Sequence, residues 1–390
     1  MKILMICDFF GANQLYQENL LTKYYQKKGH EVVIITSKYE SIIRYYQQKS
    51  VSNLCQSISV VDNVKIIRLN YSINFLNRVR LLKGIYENLK MEEPDVVYVH
   101  GLALGLIPSS RFKKNNIETK LIFDTHADYS NSGTNWISLN ILHRFFYRTI
   151  LKTQLKHLDN FFAITPRGRD FVRNIYKIPK SYIKFLPLGA DTDSIDAIKT
   201  EYSIDDIKNE LGIIPKSFII FTGGKLQPTK KTELVIDAVK RLKNNKIHLI
   251  IIGKSLDENY YQYLIKSAGK NANIHFLGWL QIEEIYKYLH VSDIAVFPCS
   301  PSVLWQQSIA SGLPVIIGDE FGNAEYLNQN NNAYILKKAP STSLEISLLI
   351  KNMVEDKGEY DNMKYGAIKT SEEFLSYEKI SENSLIFAEK

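Results

Sequence analysis

The sequence predicts an α/β fold with two doubly wound domains, each built on a parallel sheet. The chain has 390 residues, more than one ordinary hydrophobic core accommodates. Strand-like apolar runs alternate with helix-like runs, which is the pattern of βαβ units. A polar segment, Pro187–Ile198 (PLGADTDSIDAI), separates two such series and is interpreted as a linker. We expect domains at residues 1–195 and 196–370, with a helical tail, 371–390, that returns to the N-terminal domain.

The N-terminal series begins with a buried strand at Lys2–Cys7. The helical run Leu15–Lys28 follows and ends at Gly29, a residue that commonly terminates helices. Helical candidates separate the later strands, so these strands are expected to be parallel. They are expected at Glu31–Thr36, Asp95–Val99, Lys120–Asp124, Phe161–Ile164 and Ile183–Leu186.

The C-terminal series has the same alternation and predicts a second parallel sheet. The tail from Ser341 is helical in character and richer in acidic residues. The expected strands are Ser217–Phe221, Ile247–Ile252, Asn273–Phe276, Asp293–Phe297 and Pro314–Ile317.

Composition excludes several classes of protein. Hydrophobic content of 45% and charged content of 23% are ordinary for a globular protein. The three cysteines, Cys7, Cys55 and Cys299, are scattered, which argues against a disulfide framework and a cysteine metal cluster. No apolar run approaches the roughly 18 residues that a membrane span needs. The first apolar run is short and ends before Asp8, so we read no signal peptide and expect a cytoplasmic protein.

Positive charge is concentrated in the first half of the chain. The net charge is +8, and up to Ile195 there are 27 Lys and Arg against 16 Asp and Glu. This asymmetry indicates an anionic partner for the first half or serves solubility. No nucleic-acid recognition motif is present, so an anionic membrane surface is the expected partner and nucleic acid is not.

The segment GGKLQPTKK, Gly223–Lys231, follows a predicted strand and has the residues of a phosphate-binding loop. Gly223 and Gly224 allow a tight turn and a close approach of ligand to backbone. Lys225 and Lys230 supply positive charge, and lysine binds phosphate as a point charge. A solvated turn with surface lysines is the alternative.

A second segment, CSPSVLWQQSIASGLPVI, leads from another strand into a helix. A hydroxyl can cap that helix, and the unpaired N–H groups of its first turn would face a second phosphate. Two adjacent glutamines would lie within reach of sugar hydroxyls. A structural cap followed by a buried strand explains the glycine and proline but not these glutamines. The predicted donor contacts are the capping Ser302, the N–H groups of Val303 and Leu304, and the side chains of Gln306 and Gln307.

With these motifs in register, the chain resembles the retaining family-4 glycosyltransferases of the GT-B fold over nearly its whole length. GGKLQPTKK resembles their donor-phosphate motif G-[RK]-L-x-x-x-K, and QSIASGLPVI resembles their E-A-M-A-x-G-x-P-V-I helix. KKGHEVVIIT, FLPLGADTD and NIHFLGWLQIEEIYKYLHVSDIAVFP match in order and spacing. The resemblance implies two Rossmann-like domains facing a central cleft, with acceptor bound by the first and donor by the second.

The resemblance also implies roles for residues of the second domain. Lys225 and Lys230 would hold the donor diphosphate and stabilise the leaving group as negative charge develops. Gly278 would lie near the nucleobase. Gln307 occupies the place of a ribose-binding glutamate, and Cys299 the place of a glutamate that contacts the transferred sugar. Both acids of the family's E-x7-E pattern are therefore absent, which predicts an altered donor preference.

In the first domain, the resemblance implies a donor-side role for His126, in FDTHADYS, where an imidazole would bond the transferring sugar or the leaving phosphate. Asp124 and Asp128 would orient it or bind acceptor hydroxyls. A histidine at a strand end is otherwise often structural. The glycine-loop segment Gly11–Glu18 (GANQLYQE) and the strand end at His100 are the remaining candidates. The predicted acceptor contacts are Gln14, Tyr16, His100 and Asp128.

A basic stripe is expected on one helix face, because its four cations recur every four residues. Nearby aromatic side chains, including Trp136 and Phe145, would suit a lipid interface. A core helix with a solvated basic face is the alternative. The stripe consists of Arg144, Arg148, Lys152 and Lys156.

No metal is predicted. Asp191-Thr192-Asp193 resembles the D-x-D metal motif of the other glycosyltransferase fold, but it lies in the apparent linker. We interpret it as a turn in which Asp side chains bond local backbone.

The expected activity is therefore metal-independent transfer of a hexose-type sugar from a nucleotide diphosphate to a glycan or lipid-linked acceptor in surface polysaccharide synthesis, and UDP is the expected nucleotide. The nucleotide-sugar is a co-substrate, and no cofactor is expected. The alternatives are a nucleotide-sugar epimerase or hydrolase of the same fold, and a non-catalytic nucleotide-sugar-binding protein.

Overall fold

The computed structural model describes residues 1–12, 14–54, 56–129, 131–319, 322–337 and 342–387. Their contacts divide the chain into two compact units. Unit 1 contains Met1–Pro187 and Ile380–Lys390, and unit 2 contains Leu188–Lys379.

Unit 1 is built on a mostly parallel sheet. In the described residues its strands are β1 Lys2–Cys7, β2 Glu31–Ser37, β3 Gln56–Val61, β4 Val64–Leu69, β5 Tyr71–Phe75, β6 Val79–Leu82, β7 Val96–His100, β8 Lys120–Thr125, β9 Asn160–Ala163 and β10 Ile183–Phe185. The sheet order is β10-β9-β8-β7-β1-β2-β4-β3, and only the edge strand β3 is antiparallel to its neighbour. Strands β5 and β6 form a separate antiparallel hairpin.

Helices surround this sheet. The α-helices are α1 Gln17–Lys27, α2 Ile42–Tyr46, α3 Ile85–Glu92, α4 Leu106–Asn115, α5 Arg148–Gln154 and α6 Pro166–Phe171. Two segments are π-helical, Ser138–Tyr147 and Val172–Tyr176. Short 3₁₀ turns occupy Ala103–Gly105, Leu155–His157 and Lys180–Tyr182.

Unit 2 is built on a parallel sheet. Within its described part the strands are β11 Phe218–Gly223, β12 Ile247–Ile252, β13 Ile274–Gly278, β14 Ile294–Phe297, β15 Val315–Gly318 and β16 Ala333–Leu336. The order β13-β12-β11-β14-β15-β16 is that of dinucleotide-binding folds. The helices are α7 Thr192–Glu201, α8 Ile204–Glu210, α9 Thr232–Leu242, α10 Glu258–Ala268, α11 Ile282–Val291, α12 Leu304–Ala310, α13 Ser343–Glu355 and α14 Lys357–Thr370, with a π-helical Ser371–Leu375 and 3₁₀ turns at Pro228–Lys230 and Glu325–Leu327. The last helix, α15 Tyr377–Ser384, begins in unit 2 and continues into the part of the chain that belongs to unit 1.

The sheet of unit 2 is buried on both faces, as a doubly wound fold requires. Ile220 and Phe221 are adjacent in β11 and fully buried, yet they belong to two different hydrophobic clusters. Successive strand side chains point to opposite faces, so each cluster fills one side of the sheet. The predicted fold class is confirmed.

Every strand predicted from the sequence is present, with ends shifted by at most two residues. Five strands were missed: β3 to β6, and β16 at Ala333–Leu336. Strands β3 and β5 are largely exposed, so they lack the continuous apolar run that marks a buried parallel strand.

The interpretation of Pro187–Ile198 as a turn-rich linker needs correction, because helix α7 begins at Thr192. Asp191 caps this helix: its carboxylate accepts from the Ser194 backbone N–H at 3.4 Å and from the Ser194 hydroxyl at 2.7 Å. The expected local bonding of Asp191 is therefore present. Ile195 and Ile198 pack into the unit 2 core, so the division between units falls at Leu188 instead of at residue 196.

The last described segment of the chain packs on unit 1. The Tyr25 hydroxyl lies 2.6 Å from the Ser384 hydroxyl. The Asn160 amide donates to the backbone carbonyls of Ser384 and Ile386, at 3.2 and 3.0 Å. Residues 371–379 stay with unit 2, and the segment from Ile380 onward belongs to unit 1. No described helix combines the length and hydropathy that crossing a bilayer requires.

Candidate functional site

The strand order of unit 2 reverses between β11 and β14. Strands β12 and β13 lie on one side of β11, and β15 and β16 lie beyond β14. In open α/β sheets, ligands bind at the carboxyl ends of the strands at such a switch point. The loops that follow β11 and β14 are residues 224–231 and 298–303, the two segments in which the sequence predicts phosphate contacts.

Two glycines let the first loop pass close to its neighbours. Gly223 and Gly224 have φ angles of +152° and +112°. A Cβ on Gly223 would lie 2.3 Å from the Ile252 carbonyl oxygen, so only glycine fits there. A Cβ on Gly224 would lie 3.3 Å from Leu304 Cδ1 and 3.5 Å from Ser302 Oγ, so this glycine faces the second loop.

Lys230 joins the two loops. Its ammonium donates to the backbone carbonyls of Ser300 and Pro301, at 3.1 and 2.5 Å. Burial disfavours the charged form and lowers the pKa of Lys230 to about 8. Lys225 is exposed, and its ammonium makes no ion pair or hydrogen bond with the described residues. The site therefore has one anchored cation and one free cation.

The second loop differs from its prediction in one detail. Helix α12 begins at Leu304, its N-cap residue is Val303, and no side chain of the N-cap bonds the first turn. Ser302 lies one residue earlier, and its hydroxyl accepts from the Leu304 N–H at 3.4 Å, a long contact. The N–H groups of Ser302 and Val303 make no hydrogen bond within the described chain, so they remain available to an anion.

The two adjacent glutamines are buried and face protein groups. The Gln306 amide lies 2.7 Å from the Tyr326 hydroxyl. With its oxygen toward that hydroxyl, its nitrogen donates to the carbonyls of Ser302 and Val303, at 3.0 and 3.2 Å. Gln306 therefore holds the turn before α12 in shape. Gln307 is 9% exposed and lies beside the buried Tyr286.

Two further predicted donor residues lie at strand ends of unit 2. Gly278 ends β13 with a φ of +74°, and its carbonyl accepts from the Gly253 N–H at 2.6 Å. No atom lies within 4 Å of the position its Cβ would take, so there is open space beside it. Cys299 follows β14 and is buried, and it forms no disulfide within the described chain.

In unit 1, the candidate residues meet at the carboxyl ends of β7 and β8. His100 is paired in register with Asp124, so their side chains lie side by side. The buried Asp124 carboxylate accepts from Tyr98 Oη at 2.9 Å, His100 Nδ1 at 2.9 Å and the Gly101 N–H at 3.0 Å. Burial alone would raise the pKa of Asp124, but the charge of His100 and these bonds hold it well below its usual range.

His100 lies between two carboxylates. Its Nε2 is 3.3 Å from Glu18 Oε2, while its Nδ1 faces Asp124. Burial would lower the pKa of His100, but the two acids outweigh it and raise the pKa to about 10. Both ring nitrogens are occupied within the protein. The structure therefore places both ring nitrogens of His100, a predicted acceptor contact, against carboxylates of the protein itself.

His126 lies directly after β8 and packs edge-to-face on His100, with ring centroids 4.7 Å apart. Its Nε2 is buried, 3.9 Å from Asp124 Oδ2, and its side chain is 39% exposed. The backbone carbonyl of His126 accepts from the Asn131 amide at 2.7 Å, which fixes the turn after the strand. His126 thus presents a partly exposed imidazole on a buried charged pair.

The remaining predicted acceptor residues lie in loops of unit 1. The Gln14 N–H donates to the Gly11 carbonyl at 3.0 Å, and this bond closes a turn. Tyr16 is the N-cap residue of α1 and has an exposed ring. The Asp128 carboxylate accepts from the Asn131 N–H at 3.2 Å. The structure therefore makes Asp128 a turn residue of the loop after β8.

Among the residues that the structure describes, one group could hold a metal ion. His100, Asp124 and His126 each offer a ligand atom, and these atoms lie within 4.8 Å of one another. Two imidazoles and a carboxylate are a donor set that transition metals accept. In this structure His100 Nδ1 is hydrogen-bonded to Asp124, which also accepts from Tyr98 and a backbone N–H, whereas His126 Nε2 lies 3.9 Å from Asp124 without a hydrogen bond. The arrangement serves equally well as a proton-bearing network.

Sequence reasoning missed several residues that build these sites. Tyr98 lies two residues before His100, so both side chains leave the same face of β7. That spacing was a usable signal. Tyr326, which positions Gln306, is distant in sequence from both loops and gave no signal. Arg80, which pairs with Asp8 at 2.5 Å at the end of β1, lies in the hairpin that the sequence did not reveal.

The basic stripe does not lie on a regular α-helix. Arg144 is in the π-helical segment, Arg148 and Lys152 are in α5, and Lys156 is in a 3₁₀ turn. The four cations therefore lie on three successive kinds of helical backbone instead of on the face of one α-helix. Arg144, Lys152 and Lys156 are exposed, and Arg148 is half-buried.

Comparison with known proteins connects both units to one group. Residues 203–370 match the family described as glycosyl transferases group 1, and residues 19–194 match glycosyltransferase family 4. An Escherichia coli protein named UDP-Gal:alpha-D-GlcNAc-diphosphoundecaprenol alpha-1,3-galactosyltransferase is 23% identical over 290 residues, covering 70% of this chain and 66% of that protein. The spore coat protein SA of Bacillus subtilis is 21% identical over 202 residues, covering 48% of this chain and 52% of its own length. The chain thus spans about half to two thirds of these relatives.

A solved structure supports the fold. The crystal structure of HepE from Anabaena in complex with UDP has a TM-score of 0.66 and 15% identity, covering 98% of both chains. Likeness at this identity shows a shared GT-B fold. The family 4 match, residues 19–194, lies mostly in unit 1, and the group 1 match, residues 203–370, lies in unit 2. The chain therefore belongs to the group 1, family 4 glycosyltransferases.

Proposed function

We propose that the protein is a retaining glycosyltransferase that moves a hexose-type sugar from a UDP-sugar to a glycan or lipid-linked acceptor in surface polysaccharide synthesis. The observation that carries this proposal is the contact of Lys230 with the Ser300 and Pro301 carbonyls, which brings two anion-suited loops together at the switch point. The name of the Escherichia coli relative and the UDP in the HepE crystal support UDP as the nucleotide.

The donor diphosphate would bind between these loops. Lys230 is anchored at its base, and the exposed Lys225 can approach from outside. The free N–H groups of Ser302 and Val303 add two donors. As the sugar leaves, charge develops on the phosphate, and fixed donors and cations stabilise that charge in the transition state. Two lysines and backbone amides supply what a metal ion would otherwise supply, so we propose metal-independent transfer.

The remaining donor contacts follow from position. The open space beside Gly278 would receive the base, and Gln307 would reach a ribose hydroxyl through its amide. Cys299 offers only a weak thiol donor where the family has a glutamate. Backbone groups of the turn from Cys299 to Leu304 would therefore take over contact with the sugar.

His126 would bond the transferring sugar or the leaving phosphate. The charged pair of His100 and Asp124 beneath it fixes its ring plane. Gln14, Tyr16 and Asp128 would contact the acceptor from the loops after β1 and β8.

We further propose that a membrane surface is a partner of unit 1. An anionic surface would be attracted by Arg144, Arg148, Lys152 and Lys156, since three of these four side chains are exposed.

The proposal is tested by incubating the protein with a panel of nucleotide-sugars and measuring nucleotide release with and without acceptor. We expect acceptor-dependent release of UDP, with the anomeric configuration retained in the product by NMR. Release without acceptor would indicate a hydrolase or an epimerase, and binding without release would indicate a non-catalytic protein. Unchanged release in Lys230→Ala would contradict the phosphate role of this loop.

A further inference from the structure

Unit 1 contains a cavity of about 1010 Å³ that begins at the candidate site. Thr125, His126 and Gly101 line one part, at the ends of β7 and β8. The β5–β6 hairpin and the π-helical segment Ser138–Tyr147 line the rest. This volume is at the upper end of the range of sites for drug-sized ligands, about 300 to 1,000 Å³. It is larger than one sugar ring needs.

The outer walls of this cavity are apolar and open to water. Leu76 at the hairpin tip is 76% exposed, and Phe145 of the π-helical segment is 73% exposed. Contiguous exposed apolar side chains mark binding sites for apolar partners. The lining residues of this kind are Ile73, Phe75, Leu76, Ile137, Ile141 and Phe145.

The charges on the lining have one sign. Arg78 and Arg80 line the cavity, and no Asp or Glu occurs among its described lining residues. Arg80 is paired with Asp8. Arg78 is exposed and makes no side-chain ion pair or hydrogen bond within the described chain, so its guanidinium is free to bind an anion. An apolar wall beside an uncompensated arginine suits a ligand that is both hydrocarbon and anionic.

The hairpin is held in place, so the cavity is already formed. The Tyr147 hydroxyl donates to the Arg78 carbonyl at 2.9 Å, which ties hairpin to helix. The Tyr45 hydroxyl donates to Asn74 Oδ1 at 2.9 Å. Leu76 and Asn77 have φ angles of +50° and +55°, a conformation that costs about 1 kcal/mol or more for leucine. Leu76 therefore has an unfavourable backbone conformation although its side chain is exposed to water.

We infer that this cavity binds the hydrocarbon chain of a lipid-diphosphate acceptor, with the diphosphate at Arg78 and the sugar hydroxyl at His126. The inference rests on the proposed function and selects lipid-linked acceptors over free glycans. The continuity of the cavity with His126 favours an acceptor over a structural lipid. A membrane surface or a second copy of the chain would cover the outer apolar residues without needing a cavity that reaches the site.

The inference is tested by calorimetric titration of the full chain with farnesyl diphosphate, farnesol and inorganic pyrophosphate. We expect farnesyl diphosphate to bind at least tenfold more tightly than either of its halves. Ile141→Gln with Phe145→Gln should weaken it at least tenfold, and Arg78→Gln should remove its advantage over farnesol. Ile117→Gln and Arg173→Gln are matched exposed changes outside the cavity and should leave binding unchanged.

Three results would overturn the inference. Farnesyl diphosphate could bind no more tightly than pyrophosphate, or the Ile141 and Phe145 changes could leave its binding intact. The same changes could instead alter only sedimentation with vesicles or only self-association, which would assign the surface to a membrane or to a second copy. A parallel titration with UDP separates this inference from the proposed function, because the UDP site lies in unit 2 and these variants should bind UDP normally.

Discussion

The Lys230 ammonium donates to the Ser300 carbonyl at 3.1 Å, and this contact links the loops that follow β11 and β14. It also places a cation beside two unpaired backbone N–H groups. Burial lowers the pKa of Lys230, so keeping its ammonium charged costs free energy. A bound anionic ligand would offset that cost.

Donor use should depend on pH through Lys230. Its pKa of about 8 means that the ammonium is protonated below that pH and is lost as pH rises through it. The kcat/KM for donor reports the free enzyme, so it should fall about tenfold per pH unit above about 8. Initial rates between pH 6.5 and 9.5 measure this. Lys230→Arg stays charged and should have a lower but flatter profile, and an identical decline in this variant would assign the titration to another group.

Substitution of Gly224 should weaken the donor site. Gly224→Ala introduces a Cβ near Leu304 and Ser302 at a φ of +112°. We expect a loss of about 1–3 kcal/mol in UDP binding or folding stability. Gly269→Ala is the control. Gly269 has a φ of +65° and no atom within 4 Å of the position of an added Cβ, so this change strains the backbone without crowding a neighbour. Calorimetry with UDP should distinguish them, and equal UDP affinity in both variants would contradict a donor role for this turn.

The buried His100 pair should make stability depend on pH. The folded pKa of about 10 exceeds the ordinary value of 6.5, so the folded state binds more protons between these values. Its stabilising contribution is fully present below pH 6.5 and is lost as pH rises through 10. The stability advantage over His100→Gln should therefore shrink by on the order of a few kcal/mol across this window, at about 1.4 kcal/mol per unit. Urea unfolding at pH 6.5, 8 and 9.5 measures it.

His157 provides a control for the pH dependence expected of His100. Burial lowers the pKa of His157, and nearby lysines lower it further. His157→Gln should show no such loss of advantage above pH 7. If the stability difference between the unaltered protein and His100→Gln does not change with pH, the histidine is neutral in the folded protein.

Removal of divalent ions should leave transfer intact. We expect full activity in EDTA, because the proposed charge stabilisation comes from Lys225, Lys230 and backbone amides. Loss of activity in EDTA with rescue by a transition metal, abolished in Asp124→Asn, would instead assign a metal to the His100, Asp124 and His126 group. Metal content by mass spectrometry of the purified protein provides the independent readout.

The sequence predicted the parts of this protein that depend on buried periodic patterns. The parallel strands of the two sheets are mostly continuous apolar runs, and the loop after β11, in which the sequence predicts phosphate contacts, carries its glycines and lysines at a recognisable spacing. The exposed hairpin with Leu76 and Arg80 has neither signal, because its apolar residues face water or a cavity. The π-helical turn at Ser138–Tyr147 was also hidden, since side-chain spacing alone does not show how the backbone winds.

Long-range polar contacts were the least predictable feature. Glu18 and His100 are far apart in sequence, and only the order of β1, β7 and β8 brings them together. The use of Gln306 to hold a turn, instead of facing a ligand, depends in the same way on Tyr326.

The central claim is that the loops joined by Lys230 bind a nucleotide diphosphate, and UDP titration of Lys230→Met tests it most directly. Hydrogen bonds to charged groups contribute about 1.5–3 kcal/mol, so affinity should fall roughly 10- to 100-fold. Lys240→Met removes a similar lysine-to-carbonyl contact, to Ser267, away from the site and should bind UDP normally. UDP affinity in Lys230→Met equal to that of the unaltered protein would contradict the claim.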